Sequence, residues 1–301
     1  MALQKHRAQA RCFFIAGCRA TPSEALAPHT LPSQPAGLGR KGVACYIFPM
    51  ELLFVSLASL LAGFVDAIVG GGGLILVPAL FATYPGASAA TLLGTNKSAS
   101  VWGTAFSATQ YARRVELRWR ALLPAMALTL IGSFLGAWLV TLISTAFLRK
   151  LLPLVLLAVL LYTLARKDLG RAHAPRYAGR AEAVVAGSIG LLIGFYDGLF
   201  GPGTGSFFIF LMVRLLGYDF LHASAHAKLL NVCSNVAAIV LFGLRGHVWW
   251  HVALVLALAN VAGSLLGTRL ALKHGAGFVR GVFIVVVVAL ILKTGRDAFW
   301  P

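Results

Sequence analysis

Acidic residues are what this chain has least of: nine Asp and Glu in 301 positions, against 26 Lys and Arg. Charged residues of both signs reach only 12%, about half the ~25% usual in soluble domains. A soluble fold of this length needs more charge to coat its surface, which argues against that class. Cysteine is scarce too: Cys12, Cys18, Cys45 and Cys233, with no CxxC pair. A disulfide framework and a cysteine zinc site are thereby disfavoured. Catalytic signatures are also missing. There is no HExxH; the stretch 94–98, GTNKS, lacks the Gly-Lys pair of a phosphate loop; and no Ser/His/Asp set is sensibly placed. His222 and His226 have the i, i+4 spacing of metal ligands but no acidic third ligand nearby. The expectation is no enzyme activity, no metal and no cofactor.

What the chain does have is apolar length. Hydrophobic residues make up 59%, above the ~45–50% of soluble proteins. They come in continuous runs near the ~20 residues a bilayer core requires, not in the alternation of a membrane barrel. The fold class is all-α, a polytopic membrane protein. The net charge of +17 comes largely from Arg and Lys in short loops, where it orients helices, so nucleic acid is not an expected partner.

The pattern repeats. Residues 63–73 read GFVDAIVGGGG and residues 194–205 read GFYDGLFGPGTG. Asp66 and Asp197 are 131 positions apart (197 minus 66), and so are Lys97 and Lys228, Arg114 and Arg245, Trp119 and Trp250, Gly132 and Gly263, and Gly136 and Gly267. Two homologous halves, each with a glycine-broken first helix, follow from this register. The expected domains are a first transmembrane repeat at 50–165, a basic cytoplasmic linker at 166–180 and a second repeat at 181–301. Residues 1–49, with six Lys/Arg and five Pro, read as a disordered extension, and Met50 is expected to be the true start.

Apolar runs fall at 51–69, 74–84, 88–111, 122–144, 148–165, 181–200, 205–216, 221–244, 249–272 and 277–292. Counting each glycine-broken pair as one span gives about eight, with the repeats parallel. If each break is instead a re-entrant hairpin, the count changes and the repeats are free to be inverted. On the eight-span count, twelve Lys/Arg group on one side (the loop 112–120, the linker, Arg245 and the tail) and six on the other. Both termini then face the cytoplasm of a cell inner membrane.

A glycine run makes a poor helix at ~1 kcal/mol per residue relative to Ala, so each break should line a watery cavity or lie inside protein. A helix restarting after it presents free N–H groups and a positive dipole end, which suits an anion. That points to Gly72, Gly73, Gly203 and Thr204. Lys97 and Lys228 sit inside apolar segments among Thr95, Asn96 and Asn231, donors suited to an oxyanion. A charge at the bilayer centre costs ~2.5–3.5 kcal/mol on insertion scales, so these lysines, with Asp66 and Asp197, should pair or face a cavity. Both readings stay open for the aspartates: a structural ion pair, or proton coupling together with His226. The paired Gly132/Gly136 and Gly263/Gly267 read as helix-packing motifs.

At 63–75, GFVDAIVGGGGLI; at 92–104, LLGTNKSASVWGT; at 194–207, GFYDGLFGPGTGSF; and at 224–235, SAHAKLLNVCSN, the chain resembles the sulfite exporter TauE/SafE family of membrane transporters. The resemblance covers Met50 to about Lys293. It implies about eight helices in two repeats and transport of small, often sulfur-containing anions, with Asp66, Lys97, Asp197 and Lys228 as the positions that carry over. Ala227 departs from the pattern, since relatives often have a hydroxyl residue before the lysine. The expected function is secondary transport of a small anion, sulfite-like or organosulfonate, by alternating access. The partners are that solute, the bilayer and protons as coupling ion, with a homo-oligomer left open. The alternatives are a passive anion channel and a membrane-embedded scaffold or assembly factor.

Overall fold

Serine and aspartate open two of the central helices. Ser88 accepts from the Thr91 amide and Asp219 from the His222 amide, satisfying donors that a helix start leaves unpaired. The computed structural model describes residues 40–148 and 174–274, with scattered positions in 150–161 and residues 288, 292 and 296. The expected spans 148–165 and 277–292, residues 1–39 of the expected extension 1–49 and most of the linker lie mainly or wholly outside the described residues, while residues 40–49 of that extension are helical. The chain divides into two units, Met1–Gly42 and Val43–Pro301, and the helical bundle belongs to the second.

The helices are α1 (Arg40–Val69), α2 (Gly73–Thr83), α3 (Ala89–Ala112), α4 (Trp119–Val140), α5 (Gly179–Leu199), α6 (Thr204–Leu211), which runs into a π-turn at Met212–Leu216, α7 (Phe220–Leu244) and α8 (Trp250–His274). No strand occurs among the described residues. Five helical stretches are long and apolar enough to cross a membrane, while Gly73–Thr83 and Thr204–Leu216 are shorter apolar helices. Helix α4 begins one turn earlier than its apolar run suggests. Pro124 therefore falls in the second turn, where it removes an internal hydrogen bond rather than sparing one.

The helix directions can be read from paired contacts. Ser59 Oγ donates to the Leu256 carbonyl (2.7 Å) and Asn260 Nδ2 to the Ser59 carbonyl (3.1 Å). Further along, Gly263 lies against Leu60 and Phe64, and Gly267 against Phe64 and Ala67. Helices α1 and α8 thus run parallel. Helices α4 and α5 do the same, with Gly132 against Leu191 and Phe195, and Gly136 against Phe195 and Leu199. Adding 131 to Gly132 gives Gly263, and subtracting 131 from Leu191 gives Leu60. The glycines let backbones touch, as in small-residue membrane packing. By contrast, α3 and α7 are antiparallel. The beginning of α3 meets the end of α7, where the Trp249 amide donates to Thr95 Oγ1 (3.1 Å) and Gly94 lies against Phe242 and His247.

The glycine breaks are turns, not interruptions of a continuing span. Gly72 lies against Ala62 and Asp66 of α1, which a helix carrying straight on would leave far behind. Tyr84, after α2, meets the Trp249 ring edge-on at 5.3 Å, at the end of the bundle where α8 starts. In the second half, Phe207 packs edge-on against Tyr196 at 5.5 Å, and Tyr218 reaches back to Glu182 in the first turn of α5 (2.5 Å). Each break therefore makes a helical hairpin, and counting each broken segment as one span does not hold. The charge grouping changes with it. Arg245 donates to Thr141 Oγ1 (2.6 Å) at the far end of α4, not beside the 112–118 loop.

Candidate functional site

The tips of the two hairpins meet. The Ser206 amide donates to the Gly70 carbonyl (3.1 Å), and a Cβ on Gly70 would lie 2.6 Å from the Gly205 carbonyl carbon. Gly70, at φ 76°, and Gly201, at φ 91°, hold left-handed backbone that lets the chain reverse. Helices α3 and α7 cross beside this junction. Between them lies a cavity of about 20 Å³, room for roughly one water.

The cavity is lined in repeat-related pairs. Asp66 and Asp197, Gly70 and Gly201, Gly73 and Thr204, Ser100 and Asn231, and Thr104 and Asn235 each differ by 131 and each face it. Asn96 and Lys97 complete much of the wall. Ser100, Thr104 and Asn235 are lining residues that the sequence reading misses. A signal for them exists, since both repeat positions are polar in both halves.

The charges pair across the halves, but not alike. Lys97 Nζ forms a salt bridge with Asp197 Oδ1 at 2.5 Å, and both side chains are at least 97% buried. Lys228 Nζ instead donates to the main-chain carbonyl of Asp66 (2.7 Å) and lies 5.3 Å from the centre of the Tyr111 ring. The aspartates sit at the restarting helices. Asp66 accepts from the Gly72 amide (3.3 Å) and from Thr104 Oγ1 (3.0 Å), and Asp197 accepts from Thr204 Oγ1 (2.6 Å). The positive ends expected for a foreign anion already face the protein's own carboxylates. Asp197 Oδ2 and Asn96 Oδ1 are buried without a hydrogen-bond partner, and both residues line the cavity. These unmatched groups, and an amide able to turn its N–H inward, are what a polar guest would satisfy.

Five predicted residues are not among those lining the cavity: Gly72, whose amide meets Asp66, Lys228, which meets the Asp66 carbonyl, and Gly203, Thr95 and His226. Gly203, at φ 82°, shapes the turn into α6 and does not line the cavity. Thr95 uses its hydroxyl on the Trp249 amide. His226 belongs to a separate cluster. Its Nε2 accepts from the Arg118 amide (3.2 Å), its Nδ1 lies 2.7 Å from the His222 carbonyl, and its ring packs on Tyr218. Residues two apart on a helix point to opposite sides, so His226 and Lys228 cannot share a face. No group of three His, Cys, Asp or Glu able to hold a metal occurs among the described residues.

The His226 cluster ties the starts of α4, α5 and α7 together at the arginine-rich end. Arg118 Nη1 contacts both oxygens of the buried Glu182 (2.8 and 3.0 Å), and Tyr218 donates to Glu182 Oε1. Burial, then the Glu182 hydrogen bond, raises the Tyr218 phenol well above its ordinary value, so it stays a donor at physiological pH. Arg118→Ala strands part of a buried carboxylate, at about 1–3 kcal/mol. Its thermal unfolding midpoint in detergent should fall well below that of the exposed control Arg113→Ala; equal midpoints would show the pair to be idle.

The family profile described as sulfite exporter TauE/SafE matches residues 55–294. The chain is 36% identical over 250 residues to "Probable membrane transporter protein ORF9" of a Sinorhizobium species, covering 83% of this chain and 94% of that one. It is 36% identical over 253 residues to "Probable membrane transporter protein YfcA" of Escherichia coli K12, covering 84% and 92%. At 23% identity over 265 residues it is similar to "Probable membrane transporter protein YunE" of Bacillus subtilis, covering 81% and 96%. No solved structure matches. With the family profile spanning both glycine hairpins and relatives aligned along nearly their whole length, the chain belongs to the sulfite exporter TauE/SafE family.

Proposed function

We propose that this protein is a secondary transporter of small anions of the sulfite or organosulfonate class, working by alternating access of two inverted repeats. Residues 50–165 form one repeat and 181–301 the other, joined by the linker 166–180. The observation that carries the reading is the unequal pairing around this cavity: Lys97 holds the carboxylate of Asp197, while its repeat mate Lys228 donates to the main-chain carbonyl of Asp66.

Inverted repeats that differ in conformation exchange those conformations when the protein opens to the other side. In the opposite state, Lys228 takes the Asp66 carboxylate and Lys97 relaxes onto the Asp197 carbonyl. Between the two states a lysine is released beside the cavity and is free to hold an oxyanion. A proton on the released aspartate removes its competing charge, which makes the carboxylates the coupling groups. A 20 Å³ space is too small for sulfite, so on this reading the site must widen to admit the solute.

Orientation follows from the revised ends of the bundle. Among the described residues in 51–274, one end carries Arg113, Arg114, Arg118, Arg120, Arg176, Arg180, Arg214, Arg269 and Lys273; the other carries Lys150 and Arg245. The first is cytoplasmic by the positive-inside rule, which puts the beginning of α1 on the opposite face.

The test is flux of sulfite, thiosulfate and sulfoacetate into proteoliposomes at several pH values, with electrical recording in parallel. Saturable flux without unitary currents is expected. Large unitary currents would make the protein a channel, and no flux of any anion would favour a scaffold.

A further inference from the structure

A second cavity, of about 460 Å³, lies between α3 and α8 at the arginine-rich end. Three cations line it, Arg114, Arg269 and Lys273, with Phe106 and Leu265 as apolar wall and Thr268 at its base. Among the described residues no carboxylate lines it, and none of these lining residues is shared with the central cavity. A polar seam closes the base: Thr268 Oγ1 lies 3.2 Å from Ser107 Oγ, Ser107 Oγ lies 2.5 Å from Ser264 Oγ, and Ser264 Oγ donates to the Gly103 carbonyl (2.6 Å).

The duplicated scaffold supplies an internal control. Subtracting 131 from Leu265, Thr268, Arg269 and Lys273 gives Phe134, Ala137, Trp138 and Leu142. Only Arg114 keeps a basic mate, Arg245, and that side chain is bonded to Thr141. The fold therefore does not require Arg269 and Lys273; one half has a basic cleft where the other has an apolar surface.

We propose that this cleft binds the phosphate of an anionic phospholipid. Three convergent cations beside an apolar wall match an amphiphile with a charged head. The neighbouring outward faces present Trp102, Leu258 and Leu266 to the surroundings, a surface suited to acyl chains. The cleft also opens at the end richest in arginine, the face that meets the anionic cytoplasmic leaflet. Inorganic phosphate offers the same chemistry, but a bare oxyanion leaves most of 460 Å³ and the apolar wall unused.

Native mass spectrometry of the full chain in detergent tests this, with palmitoyl-oleoyl phosphatidylglycerol against phosphatidylcholine of the same acyl chains. The wild type should retain phosphatidylglycerol at least about tenfold more strongly. The triple variant Arg114→Gln, Arg269→Gln, Lys273→Gln should lose that preference, and Arg245→Gln should keep it. Equal retention of both lipids by the wild type overturns the proposal, as does an unchanged preference in the triple variant. Displacement of phosphatidylglycerol by millimolar inorganic phosphate overturns the lipid as source and makes the cleft a soluble-anion site. If the triple variant does not fold, Arg269→Gln alone is read in the same way, and an unaltered preference there counts against the proposal.

Discussion

Lys97→Ala should abolish anion flux in proteoliposomes and also lower the unfolding midpoint. The two losses have separate causes. Asp197 is 2% exposed and Lys97 is its salt-bridge partner. Removing one member of a buried pair costs about 3–5 kcal/mol because the other charge is left uncompensated. Flux should drop by at least about a hundredfold, since the same ammonium is the proposed oxyanion ligand and tenfold corresponds to ~1.4 kcal/mol of binding. The double variant Lys97→Met, Asp197→Asn separates the effects. It leaves no buried charge unpaired, so stability should largely return, while flux should not. Recovery of flux in that double variant would reduce the pair to a structural clamp. Lys228→Ala should also stop flux but destabilise less, because Lys228 is bonded directly to a main-chain carbonyl and the Asp66 carboxylate keeps the Gly72 amide and the Thr104 hydroxyl. Normal flux in both single variants would take the lysines out of the mechanism.

Gly70→Ala should be strongly damaging at the junction of the hairpin tips. The residue sits at φ 76°, where a side chain costs about 1–3 kcal/mol. Its new Cβ would also lie 2.6 Å from the Gly205 carbonyl carbon and 2.7 Å from the Gly205 Cα. Both obstacles are backbone, so neither can swing aside. The hairpin tips must separate, and the Ser206 to Gly70 hydrogen bond goes with them. The expected result is a lowered midpoint and a collapse of flux. Gly205→Ala should behave alike, since its Cβ would meet the Gly70 Cα at 2.5 Å. Gly86→Ala, with open space around it, should change neither quantity. Full flux in Gly70→Ala would mean that the tips need not touch during transport.

Taken alone, the amino-acid sequence determined the class of molecule, the places where helices break and the identity of the four charges at the hairpin junction, though not the buried Glu182. These are local or additive properties: apolar length, glycine runs and charges inside apolar segments, read twice at a spacing of 131. It did not decide what the chain does after a glycine run. Glycine permits either continuation or reversal, and hydropathy is the same for both; only the approach of Gly72 to Ala62 and of Phe207 to Tyr196 selects the hairpin. Nor did it decide partners. That Lys97 of one half meets Asp197 of the other, that Arg245 lies at Thr141, and that His226 turns toward Arg118 depend on antiparallel crossing of α3 and α7 and on which face each helix turns inward. Those contacts join residues a hundred or so positions apart, so side-chain spacing along one helix could place candidates on a face but not say what that face would meet.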